Sequence, residues 1–263
     1  MNSARQGRSR VLPLPVGHVR MRMTVAYDGS DFYGFAYNEG VPTVSGSLEG
    51  ALSKVLGCRI TLSCAGRTDR GVHARRQVVS FDAPKDRVDV TRLAKSINRM
   101  CGPRIMVSDV AVADDTFHAR FSCVERVYRY RILNAAVADP LSVFFSWHVE
   151  HPLNVNAMRV ASDRFLGTHD FSSFCRRKQP DQSLVRTVRK AMWWQEDDLL
   201  VFEIAARAFC HQMVRSIVAL LVAIGLGRAK ASDIGEIIAA RDRSLVPSPA
   251  PAQGLTLWDA LCD

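Results

Sequence analysis

Polar and apolar residues alternate at the start of the readable pattern. In HVRMRMTVAYD, Met21, Met23, Val25 and Tyr27 recur at every second position. This period of two predicts a half-buried strand that begins near His18. The glycines and proline of the next segment, GSDFYGFAYNEGVP, predict a loop.

Two helices and three further strands are predicted in the first half. TVSGSLEGALSKVLG has one apolar helical face, with Ser45 or Ser47 as the expected cap and Gly57 at its end. ITLSCAGRTDRGVHARRQVVSFDA reads as strand, glycine-bearing loop and strand. DVTRLAKSINRMCG predicts a second helix capped by Asp89 or Thr91, and RIMVSDVAVA predicts a strand.

The second half has a similar order of elements. RVYRYRILNA predicts a strand, NVNAMRVASDRFLGTHD a helix, and SLVRTVRKAMWWQEDDLLVFEIAARA two strands joined by a turn at Gln195–Asp198. CHQMVRSIVALLVAIGLG predicts a long apolar helix, and DIGEIIAARD predicts another, opened by Ser232 or Asp233. The apolar run Ile217–Leu226 is too short to span a bilayer, so we expect a buried helix and no membrane span.

These elements predict an α+β fold. We expect two pseudo-symmetric lobes, each a mostly antiparallel sheet covered by helices, with a central cleft. The predicted divisions are a disordered basic tail at 1–17, an N-terminal lobe at 18–113 and a C-terminal lobe at 114–263. A cleft between lobes is a common place for a site.

The charge of the chain suggests a polyanionic partner. The 263 residues carry 35 Lys plus Arg against 26 Asp plus Glu, a formal net charge of +9. Basic residues concentrate in the cluster Arg120–Arg131 and in the run Arg176–Lys190. Nucleic acid is the commonest partner of such stripes, and a solvated basic surface is the alternative.

The cysteines and the first residues indicate the compartment. The seven cysteines are an odd number and form no CxxC pair, which argues against a secreted disulfide framework and against zinc. The start, MNSARQGRSRVLPLPVG, lacks the apolar core of a signal peptide. We therefore expect reduced cysteines in a cytoplasmic protein.

Motifs for several kinds of chemistry are absent from the sequence. It contains no GxxxxGK[ST], HExxH or GxSxG, so no metal or nucleotide cofactor is expected. The informative segment is Cys64–Phe81, where Asp69 stands among Arg67, Arg70 and other basic residues. Nearby arginines favour the ionised carboxylate that a nucleophile requires. The alternative is a turn aspartate that bonds its own backbone before Gly71.

Several blocks of the chain resemble one enzyme family. In order they are YDGSDFYGF, TVSGSLEGAL, AGRTDRGVHA, RVYRYRI, GTHDFSSF, FCHQMVRSIVA and SPAPAQGLTL. Together they resemble tRNA pseudouridine synthases of the TruA type, which modify positions 38 to 40 of the anticodon arm. The resemblance covers nearly the whole chain after His18, and GRTDRGVHA is its most specific string. It implies cofactor-free isomerisation of uridine to pseudouridine by a homodimer of two-lobed subunits.

The resemblance also implies roles for four residues. Asp69 matches the family's catalytic aspartate, and Arg67 matches the arginine that holds the flipped base or fills the space it leaves. Tyr128 matches the tyrosine that stacks on the target uracil, and Arg215 matches the basic partner of the aspartate. Each has an ordinary alternative: Tyr128 as a half-buried strand aromatic, Arg215 as a helix-surface charge and Arg67 as a phosphate contact.

Some questions stay open at this stage. Asp69 can attack either the ribose C1′ or the pyrimidine C6, and both routes need a charged, positioned carboxylate. The rival functions are a non-catalytic RNA-binding relative and a pseudouridine synthase with another RNA target. The helix after Met213 is either plain core or part of a dimer interface. The chain also departs from the family at Ala36 and Ser216, where the resemblance implies Gln and Asn.

Overall fold

The fold is built from ten strands and six α-helices within the described residues, 11–177 and 182–263 of a computed structural model. In chain order they are β1 (His18–Tyr27), α1 (Val44–Leu56), β2 (Ser63–Cys64), β3 (His73–Pro84), α2 (Val90–Cys101), β4 (Ile105–Val112), α3 (Ala119–Ser122), β5 (Cys123–Leu133), β6 (Trp147–His148), α4 (Val155–Asp163), β7 (Gly167–Asp170), β8 (Val185–Glu196), β9 (Leu199–Ala206), α5 (Met213–Gly225), α6 (Ile234–Ala240) and β10 (Leu255–Cys262). Residues 1–10 of the predicted tail, and Lys178 of the basic run, lie outside the described residues.

One sheet runs through both halves of the chain. Its strand order is β4-β1-β3-β10-β5-β9-β8-β7, with β2 paired to β3 and β6 paired to β5. All pairs are antiparallel except β3 with β10 and β5 with β6. The predicted α+β class with a mostly antiparallel sheet is confirmed. The division into lobes at 113 and 114 stays a prediction.

Strand β5 divides its side chains between the two faces of the sheet. Tyr128 and Tyr130 are buried in the main core, as the alternating pattern requires. Arg129 and Arg131 point to the opposite face, where both guanidinium groups stack on the Trp258 ring. The core that carries Tyr128 and the basic aromatic face are therefore separate surfaces of one strand.

Helix α5 packs inside the chain. Eleven of its thirteen residues are buried, and the two remaining are Arg215 and Ala223. The predicted buried helix is confirmed, and the plain-core alternative accounts for its apolar residues better than a dimer interface does. None of the helices in the described residues is long and apolar enough to cross a membrane.

The cap of α1 differs from the prediction. Thr43, rather than Ser45 or Ser47, is the N-cap, and its hydroxyl accepts a hydrogen bond from the Gly46 amide at 3.2 Å. The chain enters the helix two residues earlier than the apolar spacing alone suggests. The predicted end is confirmed, because Gly57 adopts the left-handed conformation with φ of 64°.

Several other elements were predicted wrongly or missed. The helix expected over 154–170 ends at Asp163, and β7 begins at Gly167, whose φ of 93° suits glycine. Strand β10 was not predicted, although it lies centrally between β3 and β5. Its position depends on pairing with strands more than 100 residues away in sequence, which local periodicity does not encode.

The cysteines also depart from the expectation of reduced thiols. Cys123 on β5 and Cys262 on β10 pair across the strands and form a disulfide. They are 139 residues apart in sequence, so only the sheet brings them together. The other five cysteines are free thiols. The expected cytoplasmic location stays a prediction.

Candidate active site

The loop between β2 and β3 is fixed by contacts to its backbone and to the Thr68 side chain. The Gln77 side chain accepts a hydrogen bond from the Gly66 amide at 3.2 Å and donates one to the Gly66 carbonyl. The Thr68 hydroxyl is 2.8 Å from the Tyr27 hydroxyl, and the Phe35 amide donates to the Thr68 carbonyl at 3.1 Å. The loop is therefore held on both sides of Thr68, immediately before Asp69.

A glycine in the preceding segment allows this close packing. Gly34 has a φ of 98°, and a Cβ there would lie 2.8 Å from the Thr68 carbonyl oxygen and 3.4 Å from the Arg70 amide nitrogen. A larger residue would suffer both an unfavourable φ and a collision with the loop backbone. The neighbouring Phe35 is buried in the core.

The Asp69 side chain reaches across to the second half of the chain. Its Oδ1 lies 3.2 Å from Nε2 of His211, and its Oδ2 lies 3.4 Å from Nη1 of Arg215. The Asp69 carbonyl accepts from the Val72 amide in a turn, but the carboxylate makes no hydrogen bond to its own loop within the described residues. The turn-aspartate alternative therefore explains the backbone hydrogen bond of Asp69 but not the contacts of its carboxylate.

Arg215 is itself anchored. Its Nε donates to the Ala250 carbonyl at 2.7 Å, and the Ala250 amide donates to the Arg215 carbonyl at 3.1 Å. The side chains of Asp69, His211 and Arg215 are 24%, 21% and 16% exposed, so the cluster is sheltered but still partly accessible to solvent. At this depth a charged pair interacts more strongly than at a fully exposed surface.

Tyr128 lies close to the same loop. Its ring packs edge-on against Phe209 with centroids 5.0 Å apart, and a Cβ on Gly66 would lie 3.6 Å from the Tyr128 hydroxyl. Burial raises the pKa of Tyr128, and the charge of Asp69 raises it further. The phenol is therefore neutral, and its hydroxyl lies next to Gly66 in the Asp69 loop.

Comparison with known proteins identifies the family. A family model described as tRNA pseudouridine synthase matches residues 23–122 and 161–261. A tRNA pseudouridine synthase A from Halalkalibacterium halodurans is 41% identical over 237 residues, covering 90% of this chain and 90% of the relative. One from Bacillus subtilis is 36% identical over 247 residues, covering 93% and 100%. The chain belongs to the tRNA pseudouridine synthase family.

The predicted family membership is thus confirmed, and the named relatives are isomerases. Among solved structures, a Cbf5-Nop10-Gar1 complex aligns with 79% of this chain and 45% of that chain, with 13% identity and a TM-score of 0.32. That similarity is too low to support conclusions about this chain.

In this member of the tRNA pseudouridine synthase family, three of the four predicted site residues come together and the fourth is exposed. The structure brings Asp69, Arg215 and Tyr128 together around one loop. Arg67 is exposed, and its guanidinium makes no hydrogen bond or ion pair with any residue that the structure describes. Its side chain is therefore available to an incoming molecule, whereas Arg215 is already engaged.

The basic cluster Arg120–Arg131 does not act as one surface. Arg126 is 6% exposed and donates to the carbonyls of Ala65, Cys123, Arg207 and Arg120 at 2.6–3.1 Å. The expectation that this arginine contacts a polyanion is wrong, because its donors are buried and satisfied. It instead joins the Asp69 loop to the end of β9.

The run Arg176–Lys190 is partly neutralised. Lys190 pairs with Glu203 at 2.6 Å, and Arg189 pairs with Glu125 at 3.5 Å. Arg186 folds back onto neighbouring main-chain carbonyls. Arg176 is exposed, and its own backbone amide donates to the His211 carbonyl at 3.2 Å. The beginning of the run therefore contacts a residue of the candidate site, whereas Arg189 and Lys190 at its end pair with glutamates on the sheet.

The two departures from the family pattern have separate surroundings. Ala36 is half-buried after Phe35, whose ring is 6.1 Å from that of Tyr27 in the core. Ser216 is fully buried, and its hydroxyl accepts a hydrogen bond from Arg243 at 3.4 Å. Among the described residues, neither side chain makes a hydrogen bond with Asp69, and Arg215 is held by the Ala250 carbonyl.

His211 was not among the predicted site residues, although it stands in the FCHQMVRSIVA block. It lies two residues before α5, and Gln212 between them has a left-handed φ of 65°. Helical spacing therefore does not apply between His211 and Arg215. Within the described residues, no group of three His, Cys, Asp or Glu side chains is arranged to hold a metal ion.

Proposed function

We propose that this protein isomerises uridine to pseudouridine in the anticodon stem-loop of tRNAs, at positions 38 to 40, with Asp69 as the catalytic carboxylate. The observation that carries the proposal is the Asp69 carboxylate, whose two oxygens contact His211 and Arg215 from the other half of the chain. Family membership supports the reaction, and this geometry supports the choice of Asp69.

The carboxylate has the surroundings that a nucleophile needs. Arg215 offers charge balance at Oδ2, while the partial exposure of the Asp69 side chain keeps it accessible from solvent. In the isomerisation the N1–C1′ bond breaks, the base turns and a C5–C1′ bond forms. The proton of C5 is lost to solvent and N1 gains one, so no oxidant or reductant is required. Attack at C1′ and attack at C6 both fit this balance.

The target base must leave its stack before either attack, at a cost of about a few kcal/mol. We assign the aromatic wall to Tyr128, because base stacking on a ring contributes about 1–3 kcal/mol. We assign Arg67 to the flipped base or to the space it leaves, since Arg67 is exposed and stands two residues before Asp69 in the same loop. The free energy that stacking on Tyr128 contributes is then similar in size to the free-energy cost of extruding the base.

Exposed arginines near the loop are the proposed tRNA backbone contacts. Arg67, Arg70, Arg176 and Arg177 are exposed, and Arg70 stacks over the Tyr33 ring at 4.1 Å. Phosphate contacts release bound counterions, so tRNA binding is expected to weaken steeply with salt. Recognition then depends mainly on backbone shape.

A homodimer is the proposed assembly. The segment between β5 and β6 exposes large apolar side chains, with Leu141 89% and Phe144 65% exposed. Exposed apolar groups at this density are typical of an interaction surface. Light scattering of the purified protein checks the assembly, and a monomer at micromolar concentration would contradict it.

Tritium release locates the modified uridines. Transcripts of one tRNA are labelled at C5 of uridine, and matched transcripts carry cytidine in place of uridine at positions 38, 39 and 40. We expect release from the first set and none from a transcript that lacks all three uridines. Undiminished release from that transcript would place the reaction elsewhere in the tRNA. Binding without release from any transcript would leave only an RNA-binding function.

A further inference from the structure

One side chain at the site has no assigned role. His211 reaches Asp69 from a different element than Arg215 does, since it precedes α5 while Arg215 lies in its first turn. The two contacts fall on different oxygens, Nε2 of His211 on Oδ1 at 3.2 Å and Nη1 of Arg215 on Oδ2 at 3.4 Å. Each oxygen of the carboxylate is therefore contacted by a different side chain.

Two contacts constrain a carboxylate in a way that one does not. The terminal torsion of an aspartate is broad, because it joins tetrahedral and planar carbons. A single donor on Oδ2 leaves the carboxylate plane free to turn about that contact. A second donor on Oδ1 fixes the plane and hence the direction of the oxygen lone pairs. Orientation of this kind matters for attack, since small misplacements cost large rate factors.

The position of His211 is itself fixed by the fold. The Arg176 amide donates to the His211 carbonyl at 3.2 Å, and the Met213 amide donates to the Cys210 carbonyl at 3.1 Å. Cys210 is buried, with its Sγ 3.9 Å from the Leu184 carbonyl. The imidazole thus projects from a segment anchored on both sides, as a group that orients another residue should.

We propose that His211 is a positioning residue, whose Nε2–H donates to Oδ1 of Asp69 and fixes the plane of the carboxylate for attack. An ionised carboxylate only accepts hydrogen bonds, so the proposed hydrogen bond requires the proton on Nε2. The proposal rests on the proposed role of Asp69. It assigns His211 to the chemical step rather than to tRNA binding.

Two substitutions separate positioning from structure. His211→Gln keeps an N–H donor the same number of bonds from the backbone, whereas His211→Leu removes it. Single-turnover tritium release should fall about 100-fold in His211→Leu. His211→Gln should recover most of that loss, and the Kd for tRNA should stay within about threefold in both. His151→Leu is the matched control, because it makes the same substitution at an exposed histidine outside the candidate site.

The outcomes decide the proposal. Equal rates in wild type and His211→Leu would overturn it, as would equal losses in the Leu and Gln variants at unchanged thermal stability. Absence of release from the wild type would instead refute the proposed function, so the two failures are distinguishable.

A measurement on the folded wild type adds a second test. Nitrogen-15 NMR of labelled histidines should show His211 with its proton on Nε2, and Asp69→Ala should shift that resonance. A proton on Nδ1 alone, or a resonance unmoved by Asp69→Ala, would overturn the proposal.

Discussion

The two segments that meet at the candidate site are held in different ways. The Asp69 loop is fixed through its backbone by Gln77 and Phe35 and through the Thr68 hydroxyl by Tyr27, all in the first half of the chain. The segment 207–216 is fixed by contacts within the second half, such as the hydrogen bonds between Arg215 and Ala250. The first half therefore sets where the carboxylate stands, and the second sets its charge environment and orientation.

One buried arginine connects the two segments, and its loss should have the largest effect on stability. Arg126→Met would leave the carbonyls of Ala65 and Arg207, among others, without their charged donor. We expect the free energy of unfolding to fall by about 3 kcal/mol or more, as measured by urea denaturation. Arg120→Met, at an exposed side chain of the same cluster, should change it by less than about 0.5 kcal/mol. Equal effects would contradict the bridging role.

Removing the cation at Oδ2 should affect turnover and leave the Asp69 loop in place. Arg215→Met should lower the single-turnover rate by about 100-fold, because the Asp69 carboxylate loses its charge partner. The Ala250 carbonyl also loses the donor that anchors Arg215. Arg243→Met is the control, since Arg243 contacts Ser216 and Val246 but not Asp69. Rates are compared well below each unfolding midpoint. A comparable loss in both variants would point to a general disturbance of α5.

Disturbing the loop from the first half should affect stability and turnover together. Gly34→Ala adds a Cβ against the Thr68 carbonyl, whereas Gly40→Ala meets no atom within 4 Å. Both glycines have positive φ, so the difference in stability between the two variants reports the collision with the Thr68 carbonyl. We expect Gly34→Ala to be less stable than Gly40→Ala by about 1–3 kcal/mol in chemical denaturation. Equal stabilities would show that the loop backbone gives way.

The smallest expected effect concerns pH. Burial lowers the pKa of His73, although the Asp28 carboxylate opposes that shift, and burial likewise lowers the pKa of His118. The folded state then binds fewer protons than the unfolded chain, so stability should fall as pH drops below about 6.5. Urea denaturation between about pH 5 and 8 should show a shallower slope for His73→Gln than for wild type. Equal slopes would contradict the assignment to His73.

Local patterns predicted the individual elements better than their assembly. The strand from His18, the helix ending at Gly57 and the buried helix α5 are confirmed, because alternation, capping and apolar length are local properties. Strand β10 and the disulfide between Cys123 and Cys262 were missed, since both depend on pairing between distant segments.

The same division applies to the site. Asp69 and Arg215 could be proposed from the resemblance, and the structure places them together. Their local sequences alone favour a turn and a helix surface. Burial of Arg126 could not be predicted, because a run of arginines does not show which of them faces inward. His211 was missed because a left-handed residue separates it from the helix.

The central claim is that Asp69, held between the two segments, performs the reaction. The most direct measurement compares tritium release from C5-labelled tRNA by wild type and by Asp69→Asn, with tRNA binding measured for both. We predict release by the wild type and none by Asp69→Asn, at similar tRNA affinity. Equal release from the two proteins would contradict the claim and remove Asp69 from the chemistry.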